Sequence, residues 1–398
     1  MNNQDGKIRV GIVGTGAFAQ SFIPLFKAHP LVENIVLCEM NPTKLQENSK
    51  KHAIPDTCLS FDELCRKDVD AVAIFTQNWL HGPQAVKALR AGKHTYSAVP
   101  ASITMEEITD LVKTVKETGK IYMVGETSYY YPCALYCRER FKQGDFGHIV
   151  YGEGEYYHDF DGLYKIYQRR GGERWKEFAG HPPMYYPTHS ISMIVSVTGA
   201  HATHVACMGF VDRHDDGLFR KGVNIWDNEF SNETALMRMS DGSMSRINEF
   251  RRIGAGGERL SLFGTNGVYE EQTRGKVWTS KSDRAKGAKP TNLTDFLSCS
   301  NVMRKTNGGQ TDEALFLDVS RIHPIQRLPK EFAGLHSAHA GSHYFLIDDF
   351  VKACVSGEQP PINVWQAARY LVPGLIAHES AKQGGVLLEV PDFGDAPA

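Results

Sequence analysis

The stretch KIRVGIVGTGAFAQSFIPLF near the start of the chain limits the fold more than any other. Ile8 to Val13 form an apolar, β-branched run of the length of a buried strand, and the glycine turn after it leads into a segment with helical spacing. Gly14, Gly16 and Ala19 make a GxGxxA pattern, with Ala17 and Phe18 inside the turn. Gly14 permits a tight turn, Gly16 lets the backbone approach a pyrophosphate, and Ala19 keeps the helix close to the strand. Free N–H groups at the helix start then face the anion. Glycine turns follow many strands that bind nothing, so the pattern gains weight from its context. A second strand, NIVLCEMNP, ends in Glu39, near the position where such a unit places an acid for the ribose 2′-hydroxyl. That carboxylate repels a 2′-phosphate, so NAD is expected over NADP. The alternative for Glu39 is a solvated residue at a strand end.

The rhythm continues. AVAIFTQNWLHGPQAVKALRAGKH reads as strand, turn and amphipathic helix; HTYSAVP and KIYMVGETSYYYP supply two more strands. Strand and helix alternating in this way imply an α/β domain, a doubly wound parallel sheet over residues 1–124. From about Glu126 the pattern changes to aromatic-rich strands such as IVYGEGEYYHDFD, NETALMRMSDGSMSRINEFRR and ERLSLFGTNGVYEEQ, which predict an α+β domain over 125–398 with an open, mostly antiparallel sheet. A chain of 398 residues exceeds one usual core, which agrees with two domains. Residues from about 280 to 340 are polar and poorly periodic, and read either as a lid-like excursion or as a surface loop without a role.

Net charge of −2 and a pI near 6.8 provide no basic footprint for nucleic acid or membrane, so a small-molecule partner is the better expectation. The N-terminus lacks the basic and apolar regions of a leader and no segment has the length of a membrane span, from which a cytoplasmic protein is expected. The eight cysteines are scattered without paired spacing or nearby histidines, so free, mostly buried thiols are expected rather than disulfides or a metal site. Lys93 is a charge at a helix end with no assigned chemistry.

TQNWLH, ALRAGKH and SAVPASIT, together with the closing FLIDDFVKACVSGEQPPINVWQAARYLVPGLIAHESAKQGGVLLEVPDF, resemble the Gfo/Idh/MocA oxidoreductases over nearly the whole chain. The resemblance implies a Rossmann domain that holds NAD through Gly14, Gly16, Ala17, Phe18, Glu39, Thr76, Asn78 and His81. It also implies a second-domain sheet that covers one side of the nucleotide domain, a sugar-like substrate between that sheet and the nicotinamide, and a homo-oligomer, dimer or tetramer. The departures are Gln77 in place of a proline, and Ala98 and Val99 in place of the glutamate and lysine of an EKP strand end. Members of the family usually pair that lysine with an aspartate and a histidine four residues apart; here Tyr185 takes the aspartate's place and His189 the histidine's. Oxidising a carbinol requires a base near the operating pH, which valine cannot supply.

The text YPTH, Tyr186 to His189, with the VP strand end and YYHDF upstream, resembles the branch of the family that cleaves glycosidic bonds with bound NAD, including the alpha-N-acetylgalactosaminidase type. That resemblance implies oxidation at the sugar's C3, loss of the C2 proton and departure of the aglycone. His189 would be the base and Tyr186 its partner, and Tyr130 matches a tyrosine-bearing turn loosely. Such chemistry does not need two carboxylates. Ala98 departs from the glutamate of the alpha-N-acetylgalactosaminidase members, which leaves the sugar and the acid assisting departure open. Each candidate has an ordinary reading beside it. His189 could cap a helix, His158 and Asp159 could bind sugar hydroxyls or form a surface pair, and Trp175 could stack on a sugar or anchor a loop. Three functions remain: redox-neutral glycoside cleavage, net dehydrogenation of a sugar or polyol, and ligand sensing without catalysis.

Overall fold

The computed structural model describes residues 6–272, 275–304 and 314–397. The chain divides into two compact units, one of residues 1–132, 296–368 and 393–398, the other of 133–295 and 369–392.

The first unit is built on six parallel strands: β1 (Ile8–Val13), β2 (Val32–Cys38), β3 (Thr57–Cys58), β4 (Ala71–Ile74), β5 (His94–Ser97) and β6 (Tyr122–Val124). Their order, β3-β2-β1-β4-β5-β6, is doubly wound as expected, with every neighbouring pair parallel. Continuous apolar runs suit strands covered on both faces, and β4 is buried throughout. The order reverses between β1 and β4, which puts a crevice at the carboxyl ends of those strands, where open α/β sheets bind ligands. The element after the glycine turn is less regular than its spacing suggests. Phe18–Ser21 is a 3₁₀ turn and only Ile23–Ala28 is α-helical, with Pro24 in its first turn supplying no N–H.

A single cut near residue 124 does not describe this division, because residues 296–368 pack within the first unit. The helix Ser342–Ser356 is buried nearly all round; Phe350 lies 5.5 Å from the Tyr96 ring, and Val124 donates from its N–H to the Ile362 carbonyl at 3.1 Å. The polar stretch from 280 to 340 likewise holds structure: a hairpin of Ser300–Arg304 and Ala314–Val319, and apolar anchors Leu297, Phe316, Leu328 and Phe332 in the interior. Residues 305–313 of that stretch lie outside the described residues.

The second unit carries β7 (Ile149–Tyr157), β8 (Ala202–Val211), β9 (Phe230–Met239), β10 (Met244–Phe250), β11 (Gly257–Gly264), β12 (Gly267–Gln272), β13 (Gly275–Ser280) and β14 (Thr291–Asn292). With a short strand at Leu388–Glu389 they form one sheet, antiparallel except for the β7–β10 pair. On its inner face the helix Thr188–Thr198 lies against β7. The glycines of YGEGEYY make this possible, since a Cβ at Gly154 would collide with the Ser190 carbonyl oxygen. Among the described residues no helix is long and apolar enough to cross a membrane. All eight cysteines are free, seven of them buried.

Candidate functional site

The first unit supplies a dinucleotide cradle. Gly14 sits at φ +84°, and a Cβ there would come within 2.7 Å of the Phe75 carbonyl oxygen, so the turn between β1 and the next segment needs glycine. At Gly16 a Cβ would meet nothing within 4 Å, leaving the open space a pyrophosphate requires. Ala17 and Phe18 are exposed beside it. Glu39, at the end of β2, accepts from the Thr15 N–H at 3.2 Å, the Thr15 hydroxyl at 3.0 Å and the Asn41 N–H at 3.3 Å. Those hydrogen bonds, aided by Lys44, outweigh partial burial and hold its carboxyl below the ordinary range, so it is ionised at neutral pH. The residues present fit NAD: a tight turn, an open glycine and a charged acid at the second strand end.

Thr76 and Asn78 are half-buried beyond β4; the Thr76 hydroxyl donates to Gln84 at 2.6 Å, and the Asn78 side chain accepts from the Trp79 N–H at 2.9 Å. His81 is buried, its ring nitrogens 2.8 Å from the Pro100 carbonyl and 3.1 Å from the Thr76 carbonyl, and the single N–H of the neutral ring ties it to one of them. Ala98 and Val99 are buried apolar residues, each 6% exposed. Tyr130 is also committed: its hydroxyl bonds Asp349 and receives a hydrogen bond from Arg327 at 3.0 Å, and its ring stacks on Phe345. These contacts make it a fastener of the first unit's interior.

The second unit gathers His189 and Tyr186 on the sheet's inner face. The turn before the helix is pinned at two points: Glu233 accepts from the Met184 N–H at 2.8 Å, and Arg251 donates to the Pro183 carbonyl at 3.1 Å. His189 is 4% exposed, 5.3 Å from the Tyr186 ring and 5.2 Å from that of Tyr156. Arg251 lies beneath this group, its guanidinium 4.9 Å from the Tyr156 ring, 5.2 Å from Phe160 and 5.9 Å from Tyr186. It donates to Glu249 at 2.9 Å, and Ser190, next to His189, bonds the other carboxyl oxygen. Burial pushes the Glu249 carboxyl up to about 7, against the pull of Arg251 and Ser190.

Tyr185 keeps different company, its ring 5.1 Å from His378 and 5.7 Å from His181. At the end of β7, Tyr156 and His158 share a face, and the phenol oxygen lies 2.6 Å from His158 Nδ1. His158 is exposed at its edge, yet partial burial, then the charge of Arg251, hold its pKa below the usual histidine value. Asp159 is exposed and accepts from the Asp161 N–H at 3.1 Å. Trp175 packs on the cluster of Tyr164, Ala179, Leu218 and Phe219, the anchoring alternative for that residue.

Arg251, Glu249, Ser190 and Tyr156 were not singled out from the sequence. A signal was present in SRINEFRR, where Glu249 and Arg251 stand two apart at the end of a strand and so share a face. Among the described residues no cluster of three or more His, Cys, Asp or Glu side chains is placed to hold a metal ion.

Residues 8–126 match the model of the oxidoreductase family with an NAD-binding Rossmann fold, and residues 320–397 match the glycosyl hydrolase 109 C-terminal domain. A glycosyl hydrolase family 109 protein of Saccharopolyspora erythraea is 23% identical over 97% of this chain and 83% of its own length. An alpha-N-acetylgalactosaminidase of Bacteroides fragilis is 31% identical over 49% of each chain. Among solved structures, levoglucosan dehydrogenase with NADH and levoglucosan superposes with a TM-score of 0.74 over 97% of this chain and all of that one, at 17% identity, a likeness of fold.

Proposed function

From a chain that joins the NAD-binding domain of the Gfo/Idh/MocA oxidoreductase family to a glycosyl hydrolase 109 C-terminal domain, we propose an enzyme that cleaves a glycoside by a redox-neutral route. The observation that carries the proposal is a substitution of chemistry. The lysine position is filled by buried Val99, while His189 and Tyr186 are held together over a buried arginine. Gly14, Gly16 and Glu39 would hold the cofactor, with Ala17, Phe18, Thr76 and Asn78 around it. When bound, NAD supplies reversible hydride acceptance at a sugar carbon.

The chain's own residues handle protons. His189 takes the proton from C2 of a sugar oxidised at C3, an acidified position, and Tyr186 orients the imidazole. Burial of His189 keeps water from competing for that proton. The scheme leaves the sugar no more oxidised than it began, so it dispenses with the lysine on which net dehydrogenation in this family relies. Incubating the purified protein with aryl glycosides and no added cofactor tests this. Release of the phenol without accumulation of reduced nicotinamide is the expected result. A product sugar left oxidised, with reduced nicotinamide accumulating, supports a dehydrogenase instead.

Glu39 sets cofactor choice in this account, because its ionised carboxylate favours a free ribose 2′-hydroxyl over a 2′-phosphate. Glu39→Ala is expected to narrow the preference for NAD over NADP by about 1–3 kcal/mol, the worth of a charged hydrogen bond. Calorimetric titration of both cofactors checks this; an unchanged preference removes Glu39 from the role. The open face of the second unit's sheet, with exposed Met208, Phe210, Leu236 and Met244 beside the Arg246–Glu155 pair at 2.9 Å, supports a homo-oligomer, which a light-scattering mass tests.

A further inference from the structure

Glycoside cleavage needs two proton transfers, and the proposed function assigns only the one at C2. Ala98 is buried and has no proton to give at the position where the alpha-N-acetylgalactosaminidase type is expected to have a glutamate. The departing aglycone oxygen therefore lacks an acid among the groups assigned above.

We infer that Tyr156 is the proton donor to the departing aglycone and that His158 reloads it. Tyr156 is 8% exposed and belongs to the same inner-face group as His189, 5.2 Å ring to ring. His158 is exposed, and its Nδ1 lies 2.6 Å from the phenol oxygen, so the pair links a sheltered hydroxyl to bulk water in one step. The fixed charge of Arg251, 4.9 Å from the Tyr156 ring, stabilises the phenolate left when the proton departs. An unperturbed phenol, with a pKa near 10, is otherwise a weak acid at neutral pH. Partial burial and the neighbouring charge of Arg251 keep His158 neutral; Asp159 acts weakly in the opposite sense. In the tautomer with the proton on Nδ1, it donates to the phenol oxygen while the phenol donates onward.

The step balances. As the base takes the C2 proton, the C2–H electron pair forms the C1–C2 double bond and the C1–O pair leaves on the aglycone oxygen. That oxygen forms a bond to the Tyr156 proton, and the phenolate takes the proton of His158 Nδ1 as Nε2 of the same ring takes one from water, so the imidazole relays a proton and stays neutral. No external oxidant or reductant enters this step.

The inference rests on the glycoside-cleaving reading, and leaving-group acidity separates the two. Tyr156→Phe is expected to lower kcat/KM about a hundred- to ten-thousand-fold for a methyl glycoside, whose alkoxide must be protonated, and less than tenfold for a dinitrophenyl glycoside, whose aglycone leaves as an anion. His158→Gln, a change at an exposed position that leaves the core intact, is expected to slow the methyl glycoside tenfold or more and the dinitrophenyl glycoside by a several-fold smaller factor. Equal losses on both glycosides, or none on either, in the two variants overturn the inference while wild-type cleavage keeps the parent reading. Failure of the wild-type protein to cleave either glycoside overturns both.

Discussion

His189→Ala lowers turnover of a cleavable glycoside by roughly a hundred- to ten-thousand-fold, the range that removal of a positioned general base spans. NAD affinity stays at its wild-type value, because the cradle of Gly14, Gly16 and Glu39 belongs to the other unit. Tyr186 and His189 stand 5.3 Å apart ring to ring, and if they work as one unit, as proposed, adding Tyr186→Phe to that variant costs little more than His189→Ala alone. Steady-state kinetics with a calorimetric NAD titration on each variant checks the pattern. Full turnover in His189→Ala, or losses that multiply in the double variant, contradicts it.

Arg251→Ala is expected to destabilise the protein by about 3–5 kcal/mol, since it strands the Glu249 carboxyl where no water reaches and removes the donor to the Pro183 carbonyl. Changing both partners, Glu249→Leu with Arg251→Met, is expected to cost less than the single change, because an apolar pair leaves no buried charge uncompensated. Urea denaturation measures both; a loss below about 1 kcal/mol for Arg251→Ala contradicts the pairing. Glu249 also gives the wild-type protein a pH signature. Its folded-state pKa is raised from about 4.5 to about 7, so the native state holds the proton more tightly than the unfolded chain. The stability it contributes is fully present below about pH 4.5 and is lost as pH rises toward 7. Glu249→Gln flattens that part of the stability–pH curve.

The nucleotide half was readable because buried parallel strands are written as continuous apolar runs, and because Gly14 and Glu39 are tied to backbone geometry and charge that few residue types satisfy. Val99 was readable as a departure from a pattern. The return of residues 296–368 to the first unit was not, since it depends on what the apolar helix Ser342–Ser356 packs against and not on its spacing. Arg251 and Glu249 were hidden because they reverse the usual apolar-inside rule: Glu249 occupies an inward position of β10 that only its pairing with Arg251 makes tolerable. Tyr130 and Trp175 are aromatic residues that sequence makes attractive as sugar contacts, and the structure adds the packing partners that spacing does not reveal.

The central claim is that a proton leaves C2 during cleavage and is replaced from solvent. Cleaving a glycoside in deuterated water with the wild-type protein, then locating deuterium in the product sugar by NMR, measures this directly. One deuterium at C2, with nicotinamide returned to its oxidised form, is the expected result. A product sugar with only hydrogen at C2 contradicts it.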